Sequence, residues 1–405
     1  MKESYLHFIW KTKSFKNLPL RCVNGEVVVV RNPGVHNFHA GPDFSFAQIE
    51  LDGVSLSGPV EIHIKASDWL AHKHQFDPRY NEVILHVVYE ADQPVPEGVP
   101  LLELKNHVWQ EQLRHVVKLG LSERAIPCGE RFSEVDALVR SHWMERMVIE
   151  RMQQKASEWD LRLQNLQGDL VQLVHEKVAR IFGFGLNGEA FEELARRLPY
   201  HIIMRYREDE EVFNQLPVLL AGVPSSVDVS YGKRTLLVQY KHGLKAMEAI
   251  QFNSGRVHPR RKHTKRIALW VSVLPQLTMF WKLLLEEKSI ENWMNWMKEF
   301  QRKSAHSNLL QTLVVNFFAP MQFLLAKHDD DEGRMELGLQ LLQYLSAEDN
   351  GVVRKWKKLG EAPKNSSESQ SFLHLFNVYC SRKQCLNCAI GAQLLKQHES
   401  SKVFF

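Results

Sequence analysis

The chain of 405 residues reads as an α/β N-terminal domain built on a mixed sheet, followed by a mainly α-helical C-terminal domain. Three observations predict this. Period-two alternation between turn dipeptides fills residues 20–104, and apolar residues at i, i+3 and i+4 take over after residue 107. Between these two regimes, residues 93–100 form a Pro-rich connection. The predicted domains are therefore 1–105 and 106–405. With 44% hydrophobic residues, the chain has material for a core in each.

The elements follow in order. A short helix spans about residues 4–14. Strands at 20–23 and 27–31 flank Asn24-Gly25, a hairpin dipeptide, and strands at 46–51 and 59–65 flank a second turn, Asp52-Gly53. Alternation in the last strand puts Glu61, His63 and Lys65 on one face and Val60, Ile62 and Ile64 on the other. Residues 83–89 are mostly apolar, as in a central strand covered on both sides, and 100–104 form one more short strand. Beyond residue 107 a long amphipathic helix covers 135–161. Helices at 168–182, 188–198, 200–222, 236–248, 266–285, 290–300, 308–328, 333–345, 352–359 and 369–380 follow. No fixed-period repeat interrupts them.

Composition narrows the function classes. A formal charge of +4 permits a DNA or RNA partner without requiring one. The first ten residues carry charges and a His where a secretory leader needs an apolar run, which predicts a cytoplasmic protein. The strongest apolar run, 267–285, includes Trp270, Gln276, Trp281 and Lys282 and reads as a buried helix, so no membrane is expected. Five cysteines is an odd count, and in a reducing compartment it favours metal binding or free thiols over disulfides.

Chemistry concentrates between His36 and His86. Asp43 follows a Gly-Pro turn, and Glu61 opens an acid-x-base triplet eighteen positions later. Two carboxylates on neighbouring strands suit a hard cation, Mg²⁺ or Mn²⁺, which acidifies water and stabilises charge on a phosphate. Asp43 and Glu61 are the expected metal ligands. His63, or Lys65, supplies the basic or positive group. The order helix, hairpin, Asp strand, Glu strand, helix, apolar strand fits the αβββαβ core of PD-(D/E)xK nucleases, with His63 in the usual lysine slot.

Three further groups stand out. His36, His39, His63, His72, His74 and His86 cluster within about fifty residues, and His72-x-His74 followed by Asp77 has transition-metal spacing. They give an alternative: a metal hydrolase acting on a small molecule. A third reading is an inactive binding or scaffold protein. The basic run Arg256, Arg260, Arg261, Lys262, Lys265 and Arg266 precedes an apolar helix and is the expected nucleic-acid-binding surface. Last, Cys380-x4-Cys385-x2-Cys388 offers three thiolates, with Cys128 the distant fourth; Zn²⁺ and a [4Fe–4S] cluster both fit.

These strings carry a resemblance. LHFIW, AGPDF, VEIH with SDW, the histidine pair, VILHVV, LNGEAF, SSESQ and the terminal YC…CLNCAIG together resemble the domain-of-unknown-function family 2851, over nearly the whole chain. The N-terminal half is more remotely similar to the PD-(D/E)xK nuclease superfamily. That implies a restriction-nuclease-like fold with Asp43 and Glu61 on its metal-ligand positions. Some members of that superfamily hold an iron–sulfur cluster with one upstream and three C-terminal cysteines, which implies such a role for Cys128, Cys380, Cys385 and Cys388. This sequence departs at VHPRRKHTKR, where relatives carry an RPxNFPxxR-like string.

Overall fold

A computed structural model describes residues 2–16, 18–37, 40–94, 98–120, 122–183, 186–222, 231–248, 252, 263–303 and 309–400. The chain folds into two compact units. The first comprises Met1–Glu145, Arg354–Glu361 and Phe372–Phe405, and the second Arg146–Val353 and Ala362–Ser371. The sheet domain expected to end at residue 105 thus belongs to a unit that also takes in the following segment and the C-terminal cysteines.

In the first unit, helix α1 (Glu3–Thr12) precedes β1 (Leu20–Arg21), β2 (Val27–Asn32), β3 (Val35–His36), β4 (Phe44–Leu51) and β5 (Val54–Lys65). A crossover containing α2 (Asp68–Ala71) and two 3₁₀ turns leads to β6 (Leu85–Glu90), and then comes β7 (Leu101–Glu103). Strand order is β1-β2-β4-β5-β6-β7, with β3 beside β4. The first neighbours pair antiparallel, whereas β5–β6 and β6–β7 are parallel. A bridge between Cys22 and Leu102 joins the two ends, so the mixed sheet curls almost into a barrel. Its core holds Leu6, Ile9 and Trp10 of α1 with Phe44, Val60, Ile62, Leu85, Val87 and Leu102.

Local chemistry explains the hairpins. Asp52 and Gly53 both have positive φ, 45° and 83°, the conformation that matches the twist of the strands they join. The other end of this hairpin is irregular. Ala47 pairs with Gly58 but Phe44 pairs with Val60, so one extra residue is inserted around Phe46, whose φ is 57°. This bulge shifts register by one and sets Asp43 across from Glu61 instead of Ile62. Paired residues share a face, so the bulge is what brings the two carboxylates to the same side. Gly34 packs on it with φ 85°, where a Cβ would lie 2.5 Å from the Ser45 carbonyl oxygen.

Helices α3 (Gln110–Gly120) and α4 (Ala137–Asn165) follow; the boundary between the units falls within α4. The second unit is helical around an apolar core that includes Phe182, Phe191, Trp270, Phe280, Trp293, Phe317 and Phe318. Two expected helices are divided. The 200–222 segment breaks into Tyr200–Arg205 and Glu210–Leu220, because the Asp209 side chain accepts from the Val212 N–H and caps a new start. The 266–285 segment breaks at a 3₁₀ turn, Leu274–Gln276, which contains a proline. Contrary to the expectation of no span-length apolar run, Lys265–Glu286 and Leu309–Asp329 are long and apolar enough by length and composition. In the second, 83% of the most apolar window is buried within the fold, as in a core helix.

Candidate metal centre

β5 supplies the centre of the site. Glu61 and His63 are buried on it, at 5% and 1% exposure, despite being polar. Glu61 and Asp43 exchange backbone contacts: the Asp43 N–H donates to Glu61 Oε2 and the Ile62 N–H donates to Asp43 Oδ2, both at 3.0 Å. This leaves Glu61 Oε1 facing two imidazoles, 3.3 Å from His63 Nε2 and 3.4 Å from His74 Nε2. His72 Nδ1 lies 3.2 Å from His63 Nε2. Donor atoms of His63, His72 and His74 all fall within 4.8 Å of one another.

The crossover explains how His72 and His74 arrive there. α2 ends at His72, Lys73 takes the left-handed conformation at φ 62°, and His74 opens the next 3₁₀ turn. That reversal folds two residues with x-spacing back over the sheet. Tyr80 stacks on His74 with ring centroids 3.8 Å apart, and Trp69 packs edge-on to it. From β6, paired to β5 so that His86 sits beside Glu61, His86 Nε2 meets His63 Nδ1 at 2.9 Å. That contact orients His63 with its Nε2 toward Glu61, as an outer partner does for a metal-binding imidazole.

Electrostatics sets the charge states. Burial, reinforced by His86, His74 and His72, pushes the His63 pKa down to about 3, and burial with His74 lowers His86 to about 4. His74 is lowered for the same reasons, burial first and then His72. These imidazoles are neutral at pH 7, the form that binds metals. Glu61 is raised to about 9 by burial and then by the negative charge of Asp43. His74 Nε2, although buried and close to Glu61, has no hydrogen-bond geometry to it.

Sequence reading missed two participants, Glu3 and His7 of α1. His7 Nε2 lies 3.3 Å from Asp43 Oδ2 and 3.5 Å from Glu3 Oε1. Burial opposes its charge, but the two carboxylates outweigh burial and lift its pKa to about 9. Their i, i+4 spacing on a predicted helix was the available signal. His36 stacks on Phe44 and meets His7 edge-on.

Other expected site residues lie elsewhere. Lys65, though on the Glu61 face by alternation, is at the exposed end of β5 with Nζ 4.0 Å from Asp92, away from the imidazoles. Asp77 is occupied as a cap for Arg79 and as its ion-pair partner. In the basic run, Arg256, Arg260, Arg261 and Lys262 lie outside the described residues, as does His39. Lys265 is exposed, but Arg266 is buried and donates to the Phe182 carbonyl, so its guanidinium serves the helical core and not a surface. The four cysteines Cys128, Cys380, Cys385 and Cys388 are buried together in the first unit.

Fold and site define a class: a protein with a curled mixed sheet carrying a buried histidine–carboxylate centre, joined to a helical unit. The family model described as "Protein of unknown function (DUF2851)" matches residues 3–351, and the chain belongs to that family. No curated protein and no solved structure shows a significant match.

Proposed function

We propose that this protein is a metal-dependent phosphodiester hydrolase acting on nucleic acid, with its metal held by Glu61, His63, His72 and His74. The observation that carries the reading is donor spacing. Bonds of about 2.0–2.1 Å to a tetrahedral ion space its ligands about 3.3–3.4 Å apart. Three of the six donor separations here are 3.2, 3.3 and 3.4 Å. Three imidazoles with one carboxylate suit Zn²⁺, Mn²⁺ or Fe²⁺, whereas Mg²⁺ prefers oxygen ligands. A bound ion would also satisfy His74 Nε2, a buried nitrogen whose lack of a partner costs about 1–3 kcal/mol.

Such an ion supplies Lewis acidity and acidifies water. The protein's own residues do the rest. Asp43 fixes Glu61 through the paired backbone bonds, and His86 fixes His63. His7, cationic beside Asp43, supplies the positive charge that Lys65 does not bring, suited to a phosphate oxygen. Phosphodiester substrates are supported by the order α1, antiparallel β2, β4 and β5, crossover, parallel β6, which is compatible with the αβββαβ arrangement of PD-(D/E)xK nucleases once the short strands β1, β3 and β7 are set aside. The imidazole-rich donor set favours a second reading, hydrolysis of a small molecule by the same centre.

The test is cleavage of labelled single- and double-stranded DNA and RNA with Mn²⁺, Zn²⁺ or Mg²⁺, comparing wild type with Asp43→Asn, Glu61→Gln and His74→Ala. Turnover by wild type and its loss in all three variants is expected. Wild-type rates in Glu61→Gln would refute the centre. Retention of nucleic acid in a gel shift without turnover under any metal would point to a binding protein, and neither binding nor cleavage to the small-molecule reading.

A further inference from the structure

Four of the five cysteines lie together, although Cys128 is distant in sequence from the other three. Cys380 ends the π-helical turn Leu375–Cys380, Cys385 opens the 3₁₀ turn Cys385–Asn387, and Cys388 directly precedes the helix Ala389–Ser400. The fourth, Cys128, sits at the start of the 3₁₀ helix Gly129–Glu134. Their exposures are 7% for Cys128, 5% for Cys380, 8% for Cys385 and 5% for Cys388, and all are free thiols. The Lys383 N–H donates to the Cys380 carbonyl at 3.1 Å and the Cys388 N–H to the Cys385 carbonyl at 3.4 Å, and Cys128 lies within electrostatic reach of Cys380, Cys385 and Cys388. Cys22 belongs to another place, the bridge to Leu102 that nearly closes the sheet.

The Cys388 sulfur lies beside the backbone N–H groups of Ile390 and Gly391, in the first turn of the terminal helix. The turn that presents Cys385 and Cys388 leaves no room for a side chain at Gly391, where a Cβ would lie 2.2 Å from the Cys385 carbonyl oxygen. Lys383 Nζ donates to the Arg124 carbonyl at 2.7 Å and ties this turn to the segment ahead of Cys128. A cavity of about 490 Å³ lined by Tyr5, Leu113, Arg382, Lys383, Cys385 and Leu395 opens beside it, an entry path.

Four buried sulfurs from two distant segments thus form a donor set of a single kind. Thiolate is the preferred ligand of a soft cation. We infer that Cys128, Cys380, Cys385 and Cys388 hold a metal centre bound by four thiolates, separate from the Glu61 centre. Three of its ligands lie beyond residue 351, where the family match ends. Zn²⁺ and an iron–sulfur cluster share this ligand chemistry.

The experiment is metal and acid-labile sulfide analysis of the full chain purified without oxygen, with its absorption spectrum. About one zinc per chain, or iron with stoichiometric sulfide and a visible absorption band, is expected. The metal should persist in Cys22→Ser and His74→Ala, which separates this centre from the histidine one, and should disappear in Cys128→Ser and Cys385→Ser. Should those serine variants fail to fold, native alkylation of the wild type replaces them. The four thiols should resist a maleimide as purified and react after chelation. Protein free of metal both as isolated and after reconstitution with Zn²⁺ or iron and sulfide would overturn the inference. So would a metal content per chain in both serine variants equal to that of the wild type, or thiols equally reactive before and after chelation.

Discussion

Replacing Glu61 by glutamine perturbs the proposed centre with the least change of shape. Glutamine keeps an oxygen to accept the Asp43 N–H, now at 3.0 Å, and removes only the charge. In the metal-free protein that charge is unfavourable, since burial and then Asp43 raise Glu61 from its ordinary 4.5 to about 9. A raised pKa of this kind stabilises the fold fully below pH 4.5, and the contribution is lost as pH climbs toward 9. Glutamine does not titrate, so chelated Glu61→Gln should melt no lower than wild type at pH 8. With metal the order reverses. A ligand at a hundred times its dissociation constant adds about 2.7 kcal/mol. For a unit of roughly 200 residues, each kcal/mol is worth about 2–4 °C. Wild type should therefore gain about 5–10 °C from Mn²⁺ or Zn²⁺ at that excess, and Glu61→Gln almost nothing. Melting followed by calorimetry, with chelator and with metal, measures both. An equal metal-induced shift in the two proteins would refute the assignment of Glu61 as a ligand.

Three other predictions follow from neighbouring features. Gly34→Ala places a Cβ 2.5 Å from the Ser45 carbonyl oxygen and 2.9 Å from the Ala47 nitrogen at a φ of 85°. It should cost at least about 2 kcal/mol in urea unfolding and weaken metal binding by displacing Asp43; unchanged values for both would remove the bulge from the account. His86→Leu deprives His63 Nδ1 of its partner and should lower metal affinity about 10–100-fold in competition with a chromophoric chelator. An unaltered affinity would mean that His63 needs no orientation. In the second unit, burial and then Arg151 depress Lys155 from 10.5 to about 7. Between those values only the unfolded chain holds the proton, so stability should rise with pH by up to about 1.4 kcal/mol per unit. Lys155→Met should flatten that rise in pH-dependent melting, and an unchanged slope would count against it.

Much of the sheet was legible because its determinants are local. Asn24-Gly25 and Asp52-Gly53 specify their turns through residues that accept positive φ, and alternation alone put Glu61 and His63 on one face. The metal-spacing pair His72 and His74 was visible as a pattern, and so were the cysteines. The bulge was not. It rests on Phe46 at φ 57°, a conformation a phenylalanine does not advertise, and a one-residue slip there changes which residue faces Glu61. Lys65 illustrates the converse: it has the right alternation, yet at the strand end it reaches Asp92 and not the imidazoles.

By itself the sequence determined the element types, the two best hairpins, the polar stripe on β5 and the residue types available for chemistry. These depend on neighbours within a few positions. Tertiary structure alone decided which of them meet. Helix α1 carries Glu3 and His7 to Asp43, the crossover lays His72 and His74 over Glu61, and the C-terminal segment returns to the sheet unit beside Cys128. Each of those encounters joins residues distant in the chain, and only packing of the assembled core selects among the many such pairs that the same local pattern allows.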